Sequence, residues 1–373
     1  MVLKKYFRFK FYREIFSLKY QLFRNENFLN IKNKILISKK KSKLSKKKID
    51  QIFYLINEQD EINRDSMWFN ILNNYHIKFL NIVKNDKKKL NYILNNPHNY
   101  NIFYGFDDNC KILHDNSGFN FNFRYSKLII DKLISFCEYL GILRLDYPES
   151  IKQRYKFLDI EELIIKIEKK IKLRLYFNNP FPGEKGINTS RGILQVREIQ
   201  AIYQALRIKQ ILKHENYKIK NVLEFGGGLG RTAYYCYKFG VKNYTLVDLL
   251  VPRICQINYL SRVVNENKII LNPKKFEFSK NNIKIISPKI LFSNNFKFDL
   301  IFNSDSFTEI DYVNQKKYQK YILKNSKIFY SINHENNPFK VSDFFKKSNL
   351  LYYSKNLYWL RRGYIEEEFK FKD

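Results

Sequence analysis

The stretch Val222–Gly230, VLEFGGGLG, decides how the rest of the chain is read. A short hydrophobic run carries Glu224 near its end, meets Gly226, Gly228 and Gly230, and opens into a helical pattern at Arg231. The glycines allow a tight strand-to-helix turn and let a ligand approach the backbone with no side chain in the way. Free amides at the start of the following helix favour an anionic group. About twenty residues on, Tyr244–Leu250 (YTLVDLL) gives a second strand ending at Asp248. An acid there can accept both hydroxyls of a ribose.

Two cofactor classes use such a turn. A dinucleotide site wants Gly-x-Gly-x-x-Gly, so that a pyrophosphate rests on the helix N-terminus. Here the third glycine comes one position early, and Arg231 stands where the dinucleotide pattern has glycine. The spacing Glu-x-Gly-x-Gly-x-Gly instead resembles motif I of the class I S-adenosylmethionine-dependent methyltransferases. That resemblance implies that Glu224, Gly226, Gly228 and Gly230 contact the methionine end of the cofactor. It also implies that Asp248, with Leu249 beside it, holds the ribose.

The segments FGGGLGRTAYY, LVDLLVPRICQINYL, FNSDSFTEI and YSINHENNP are similar to those of bacterial sugar O-methyltransferases encoded among surface-polysaccharide genes. The likeness covers roughly residues 175–373. It implies an α/β fold, a Rossmann-like class I methyltransferase sheet of seven strands with the last antiparallel, preceded by a mainly helical N-terminal region. In the resembling proteins a segment like Phe181–Arg197 covers the cofactor, which would bring Arg191 to its carboxylate or to an anionic group on the substrate. Asn303, at the end of the fourth strand, joins the implied cofactor set. Ser287 or Pro288 falls where such enzymes place an acid or amide toward the adenine, and neither is an acid.

From about residue 181 short apolar strands alternate with helical stretches, the pattern of a parallel sheet. The strands are Asn221–Phe225, Tyr244–Val247, Asn282–Ile286, Phe298–Phe302 and Lys327–Ile332, with helices at Arg231–Phe239, Pro252–Val264 and Asn314–Leu323. Leu350–Tyr353, Tyr358–Arg361 and Glu367–Phe371 read as further strands, with Asn356 and Gly363 as turn residues and Trp359 as core. In an open α/β sheet the ligand lies outside the C-terminal strand ends. There strand four runs into Asp305 and Glu309, and strand five into His334 and Glu335. His334 is the first choice for a general base toward a hydroxyl, since an unperturbed imidazole titrates near 6.5. Asp305, Glu309 or Glu335 can serve as base or orienter instead. Asp305, Glu309 and Glu335 are also hard oxygen ligands suited to Mg²⁺, but they form no metal motif, so no residue is assigned to a metal. Methylation of a base amino group carries Asn/Asp-Pro-Pro-Tyr/Phe after strand four, and Asn303-Ser304-Asp305-Ser306 is not that pattern.

Composition divides the 373 residues into a basic segment 1–50, a mainly helical domain 51–180 and a third region 181–373, which the resemblance makes the methyltransferase domain. The lysine-rich run Lys39–Lys48 reads as a solvated connector, and Asn95–Phe123 as loop. Ile160–Leu175 carries a clear apolar stripe, and Ser126–Leu140 a second helix with Ser126 as cap and Gly141 as stop. Thr189 or Ser190 would cap the helix after the Phe181–Arg197 loop. Residues 51–180 are assigned acceptor selection or homo-oligomer contact. The four cysteines, Cys110, Cys137, Cys236 and Cys255, lack paired spacing, which argues against a disulfide scaffold and for a reducing compartment, the cytoplasm.

The net charge of +32 draws the chain toward polyanions at low salt without naming one. Basic and aromatic residues mix in Met1–Tyr20, which permits peripheral attachment to the inner face of an anionic membrane. The expected activity is O-methylation of a sugar, nucleotide sugar or glycan in capsule or lipopolysaccharide synthesis, with no obligatory nucleic acid. The alternatives are a ribose of RNA, a small aromatic hydroxyl, or non-catalytic nucleic-acid binding by the basic half.

Overall fold

A computed structural model describes residues 35–39, 42–59, 66–115, 119–145, 159–215, 220–271 and 281–372; Met1–Tyr20 lies outside them. In chain order the strands are β1 (Ile35–Ile37), β2 (Lys185–Thr189), β3 (Gly192–Leu194), β4 (Asn221–Phe225), β5 (Asn243–Val247) and β6 (Ile269–Ile270). They continue with β7 (Ile283–Ile286), β8 (Phe298–Ser304), β9 (Ser326–His334), β10 (Leu350–Leu357) and β11 (Tyr364–Phe371). Eight of them form one sheet in the order β10-β11-β9-β8-β4-β5-β7-β6. All pairings from β9 to β6 are parallel. β11 is antiparallel to both β9 and β10, so among the described residues it is the one reversed strand of this sheet. The eighth strand, beyond the seven expected, is β6. Two residues are too few to show the alternation by which strands are read from sequence.

Helices cover both faces. Those of the N-terminal region are α1 (Lys46–Leu55), α2 (Met67–Ile71), α3 (Ile77–Val83), α4 (Lys87–Asn95), α5 (Lys111–Asp115), α6 (Phe119–Tyr139) and α7 (Ile160–Ile171). α8 (Val196–His214) leads into β4, and between the sheet strands lie α9 (Arg231–Lys238), α10 (Leu250–Val263), α11 (Pro288–Phe292), α12 (Tyr312–Asn325) and α13 (Val341–Phe345). Successive strand residues point to opposite faces, and the core divides accordingly. Val222, Leu300 and Ile328 join one buried cluster with α8, α9, α10 and the N-terminal helices. Leu223, Ile301 and Phe329 join the other, with α11, α12 and α13. The first cluster runs from Leu44 to Leu360, across the compositional boundary at residue 180.

Several local readings change. Lys46–Lys48 are not connector: they form the first turn of α1, capped by Ser45, and Lys48 is buried. Asn95–Phe123 holds α5 and the start of α6. Ser126 lies inside α6 and does not cap it; Gly141, at φ +68°, does stand just past its end. The stripe of α7 is buried as read, and Lys172 ends that helix in the left-handed conformation at φ +56°. Phe181–Arg197 contains the β2–β3 hairpin, with β1 added antiparallel to β2. Thr189 spans the hairpin turn, donating to the Gly192 carbonyl at 2.7 Å, so neither it nor Ser190 caps α8, which Gln195 precedes. Tyr358–Arg361 is the turn between β10 and β11 and not a strand, and Trp359 there is 40% exposed, not core. Among the described residues no helix is long and apolar enough to cross a membrane.

Candidate active site

Strand order reverses at β4, which lies between β5 and β8, and this switch point opens a crevice at the C-terminal strand ends. The glycine loop turns there. Gly226 and Gly228 sit at φ +71° and +56°, a region L side chains rarely enter. A Cβ on Gly226 would lie 2.1 Å from Ser306 Oγ, so the β8 loop packs directly on the turn. Gly228 faces the Phe106 carbonyl of the N-terminal region, 3.6 Å from where its Cβ would stand.

A cavity of about 340 Å³ runs along this crevice. Its first half is lined by Glu224, Gly226, Gly228, Asp248 and Leu249, with Pro288 and Phe292 as an apolar wall. Asp248 is held for use: Oδ1 accepts from the Leu249 amide at 2.9 Å and Oδ2 from Gln256 Nε2 at 2.8 Å. Glu224 is buried, accepts from the Tyr244 hydroxyl at 2.9 Å, and is pushed up to about 8 by burial. At neutral pH its carboxyl is therefore mainly a neutral acid. These residues fit a nucleoside-bearing, partly apolar cofactor: a carboxylate for a diol, an apolar slot in place of an acid or amide for the adenine, and a side-chain-free loop between them. Gly230 does not line the cavity; it packs beside Leu260 as α9 begins.

The second half holds Asp305, Glu309, Arg197, Arg361, Tyr364 and Trp68. Asp305 adopts φ +60°, and its Oδ2 accepts from Arg361 at 2.8 Å with Arg197 at 3.8 Å. The Arg361 guanidinium lies over the Tyr364 ring, 3.9 Å from its centroid. Glu309 is pushed up to about 7, first by burial and then by the charge of Asp305; Trp68, Arg361 and Arg197 pull the other way. That range suits a group that takes up a proton near neutrality.

The residues expected from sequence thus separate. Asp305 and Glu309 come together with Glu224, Gly226, Gly228, Asp248 and Leu249 in one cavity. His334 stands outside its lining, where Nδ1 accepts from the Asn336 amide at 3.3 Å and the ring meets Tyr364 edge-on. Glu335 is turned to Lys355 at 2.6 Å and Lys340 at 3.9 Å. Asn303 is fully buried; its amide donates to the Phe225 carbonyl and accepts from Phe307 N and Asn333 Nδ2, which fills it internally. Arg191 lies in the β2–β3 turn, bound through two nitrogens to Glu168 at 3.0 and 2.7 Å. Arg197, six residues on in α8, reaches the cavity instead. Among the described residues no three His, Cys, Asp or Glu side chains gather as metal ligands.

Four contributors carried no sequence signal of their own: Trp68, Arg197, Arg361 and Tyr364. Arg231 was legible only as a misfit to the dinucleotide pattern. It is buried and pairs with Asp107, with Glu198 at 3.1 Å and with Glu184 at 3.6 Å, fastening the Gly105–Asp108 loop above the glycine turn.

No family model matches the chain, and no curated protein matches it in sequence. Solved structures match over just under half of it. The N-methyltransferase NodS from Bradyrhizobium japonicum WM9 is 12% identical over 47% of this chain and 87% of its own, with a TM-score of 0.32. The methyltransferase domain of bacterial CtHen1 is 13% identical over 46% of this chain and 100% of its own, TM-score 0.33. The glycopeptide N-methyltransferase MtfA is 10% identical over 45% and 87%, TM-score 0.33. Strand order, the reversed β11 and the glycine loop at the switch point define a Rossmann-type, class I methyltransferase-like fold behind an N-terminal helical region.

Proposed function

We propose that the chain is an S-adenosylmethionine-dependent O-methyltransferase whose acceptor is a sugar hydroxyl. One observation carries the reading: a single cavity joins the Asp248 and glycine-loop half to the Glu309 half. Asp248 would hold the ribose hydroxyls, Gly226, Gly228 and Glu224 the methionine end, and Pro288 and Phe292 the adenine. The cofactor supplies an electrophilic methyl group on sulfonium sulfur. Glu309 accepts the acceptor's hydroxyl proton as that oxygen takes the methyl group, leaving a methyl ether and S-adenosylhomocysteine. Asp305, fixed by Arg361, orients the hydroxyl, and orientation of the two reactants lowers much of the barrier. The sugar, free, nucleotide-linked or polymeric, and its place in surface-polysaccharide synthesis at the cytoplasmic side follow from the resemblance of the sequence segments. A ribose of RNA is the second reading, favoured by the net charge of +32.

Calorimetric titration with S-adenosylhomocysteine tests the cofactor; binding in the micromolar range is expected, and none to NAD. Asp248→Ala removes a charged hydrogen-bond acceptor worth about 1.5–3 kcal/mol, which weakens that binding roughly 10- to 100-fold with the unfolding temperature preserved. Unchanged affinity removes Asp248 from the site. Transfer of labelled methyl to nucleotide sugars and to short RNA, side by side, then separates the two acceptors.

A further inference from the structure

α8 is buried on most sides, and a buried polar side chain needs a partner. Most of those along α8 have one inside the protein. Glu198 accepts from Arg231 at 3.1 Å and from the Tyr235 hydroxyl at 2.6 Å. Gln204 accepts from Thr232 at 2.6 Å and donates to Ser304 at 3.0 Å, and Arg207 donates to Glu366 at 2.7 Å. Arg197 and Gln200 stand apart. They are neighbours on one face of the helix, and both line the cavity. Gln200 is 8% exposed, and among the described residues its amide makes no hydrogen bond. Arg197 has Asp305 at 3.8 Å, too far for a hydrogen bond, and its N–H groups donate to no other described residue. Arg361 differs: it spends a nitrogen on Asp305 at 2.8 Å and its face on the Tyr364 ring.

We propose that Arg197 and Gln200 form an anion subsite for the acceptor, so that the sugar methylated here carries a carboxylate or phosphate beside the reacting hydroxyl. The proposal deepens the reading of the chain as a sugar O-methyltransferase and rests on it. One carboxylate between two guanidiniums leaves positive charge over in the half of the cavity that holds Glu309. Asp107 is committed to Arg231. Asp108 lines a second, small cavity with Arg197 and offsets part of the charge at longer range. The guanidinium's forked N–H pairs match the oxygens of a carboxylate or a phosphate alike. The Gln200 amide can donate to the same anion or accept from a neighbouring hydroxyl. A neutral sugar leaves the Arg197 donors unmatched, and so binds less well than an acidic one.

The test is calorimetric titration of the full chain, without methyl donor, with glucose, glucuronate, glucose 1-phosphate and uridine diphosphate glucose. Salt at about 0.15 M screens the exposed lysines. At least one anionic sugar is expected to bind about tenfold or more tighter than glucose, the effect of a hydrogen bond to a charged group. Arg197→Gln removes that preference, and Arg197→Lys, which keeps the charge without the fork, retains part of it. Lys88→Gln, at an exposed position on α4, leaves it unchanged. If no anionic sugar binds more tightly than glucose, the proposal is overturned. A preference that survives Arg197→Gln in a chain that circular dichroism shows folded overturns it too, as does one lost equally in Lys88→Gln. Should Arg197→Gln not fold, an unaltered preference in Arg197→Lys has the same force. S-adenosylhomocysteine affinity is expected to stay within about twofold in Arg197→Gln. A larger loss would give the guanidinium to the cofactor's own carboxylate and also overturn the proposal. Failure of the parent chain to bind S-adenosylhomocysteine would sink the methyl-transfer reading and leave the sugar preference standing, so the two failures are distinguishable.

Discussion

Glu309 is a carboxyl whose surroundings decide its use. Burial and the neighbouring Asp305 charge push it up to about 7, so it is half ionised near neutrality, where an ordinary glutamate is wholly so. A base must be ionised to take a proton. The rate is therefore expected to rise about tenfold per pH unit below about 7 and to level above it, read as kcat against pH. Glu309→Gln is expected to lower kcat by roughly 10²–10⁴ and leave S-adenosylhomocysteine affinity within about twofold. The role of this residue was legible only as one acid among several after strand four. What singles it out is a place in a cavity that Trp68, some 240 residues earlier in the chain, also lines, and no local pattern encodes such a meeting. Asp248 and the glycines are different. Their place at the strand ends is set by the strand and turn that carry them, so VLEFGGGLG and YTLVDLL were enough to put Asp248, Gly226 and Gly228 in one cavity.

At the scale of elements, the Gly105–Asp108 loop, the residue leading into β2, α8 and α9 meet at Arg231. Its guanidinium serves Asp107, Glu198 and Glu184, all buried, and the Tyr259 ring lies 5.3 Å away. Removing one partner of a buried pair leaves uncompensated charge at about 3–5 kcal/mol. Arg231→Met is accordingly expected to lower unfolding free energy by at least that much in denaturant titration, and to loosen S-adenosylhomocysteine binding as the loop lifts from Gly228. Arg231→Lys keeps the charge, cannot fork between partners, and falls between the two. The elements best read from sequence were those whose pattern is local: the stripe of α7 and the buried strands of the sheet. β6 was too short to read, and the β2–β3 hairpin passed for loop because Gly186 and Gly192 look like loop residues. Gly186 in fact allows β2 to press on β3, its absent Cβ falling 2.2 Å from the Leu194 carbonyl oxygen.

For the whole molecule, stability carries the mark of acids buried without full compensation. Glu224 stands at about 8 in the folded chain against 4.5 when unfolded, through burial. Between those values the folded chain holds a proton that the unfolded chain has released, so this group's contribution falls as pH rises from about 4.5 to about 8. Glu224→Gln removes that slope. Its unfolding temperature relative to the parent chain is expected to climb steadily from about pH 5 to about pH 8, measured by differential scanning calorimetry; a constant difference would place the Glu224 carboxyl in water. The same shared interior that buries these acids also binds the helical half to the sheet, since one cluster runs from Leu44 to Leu360. As the chain leaves the ribosome, Ile93, Phe136 and Ile164 emerge long before Val222, Leu300 and Ile328, which complete the same buried cluster. At synthesis rates of about 5–20 residues per second, the about 150 residues still to come occupy roughly ten to thirty seconds. Through that interval the nascent helices are a sticky, unfinished surface. The yield of this protein in a cell is then governed by how well chaperones shield that surface while the rest is being made.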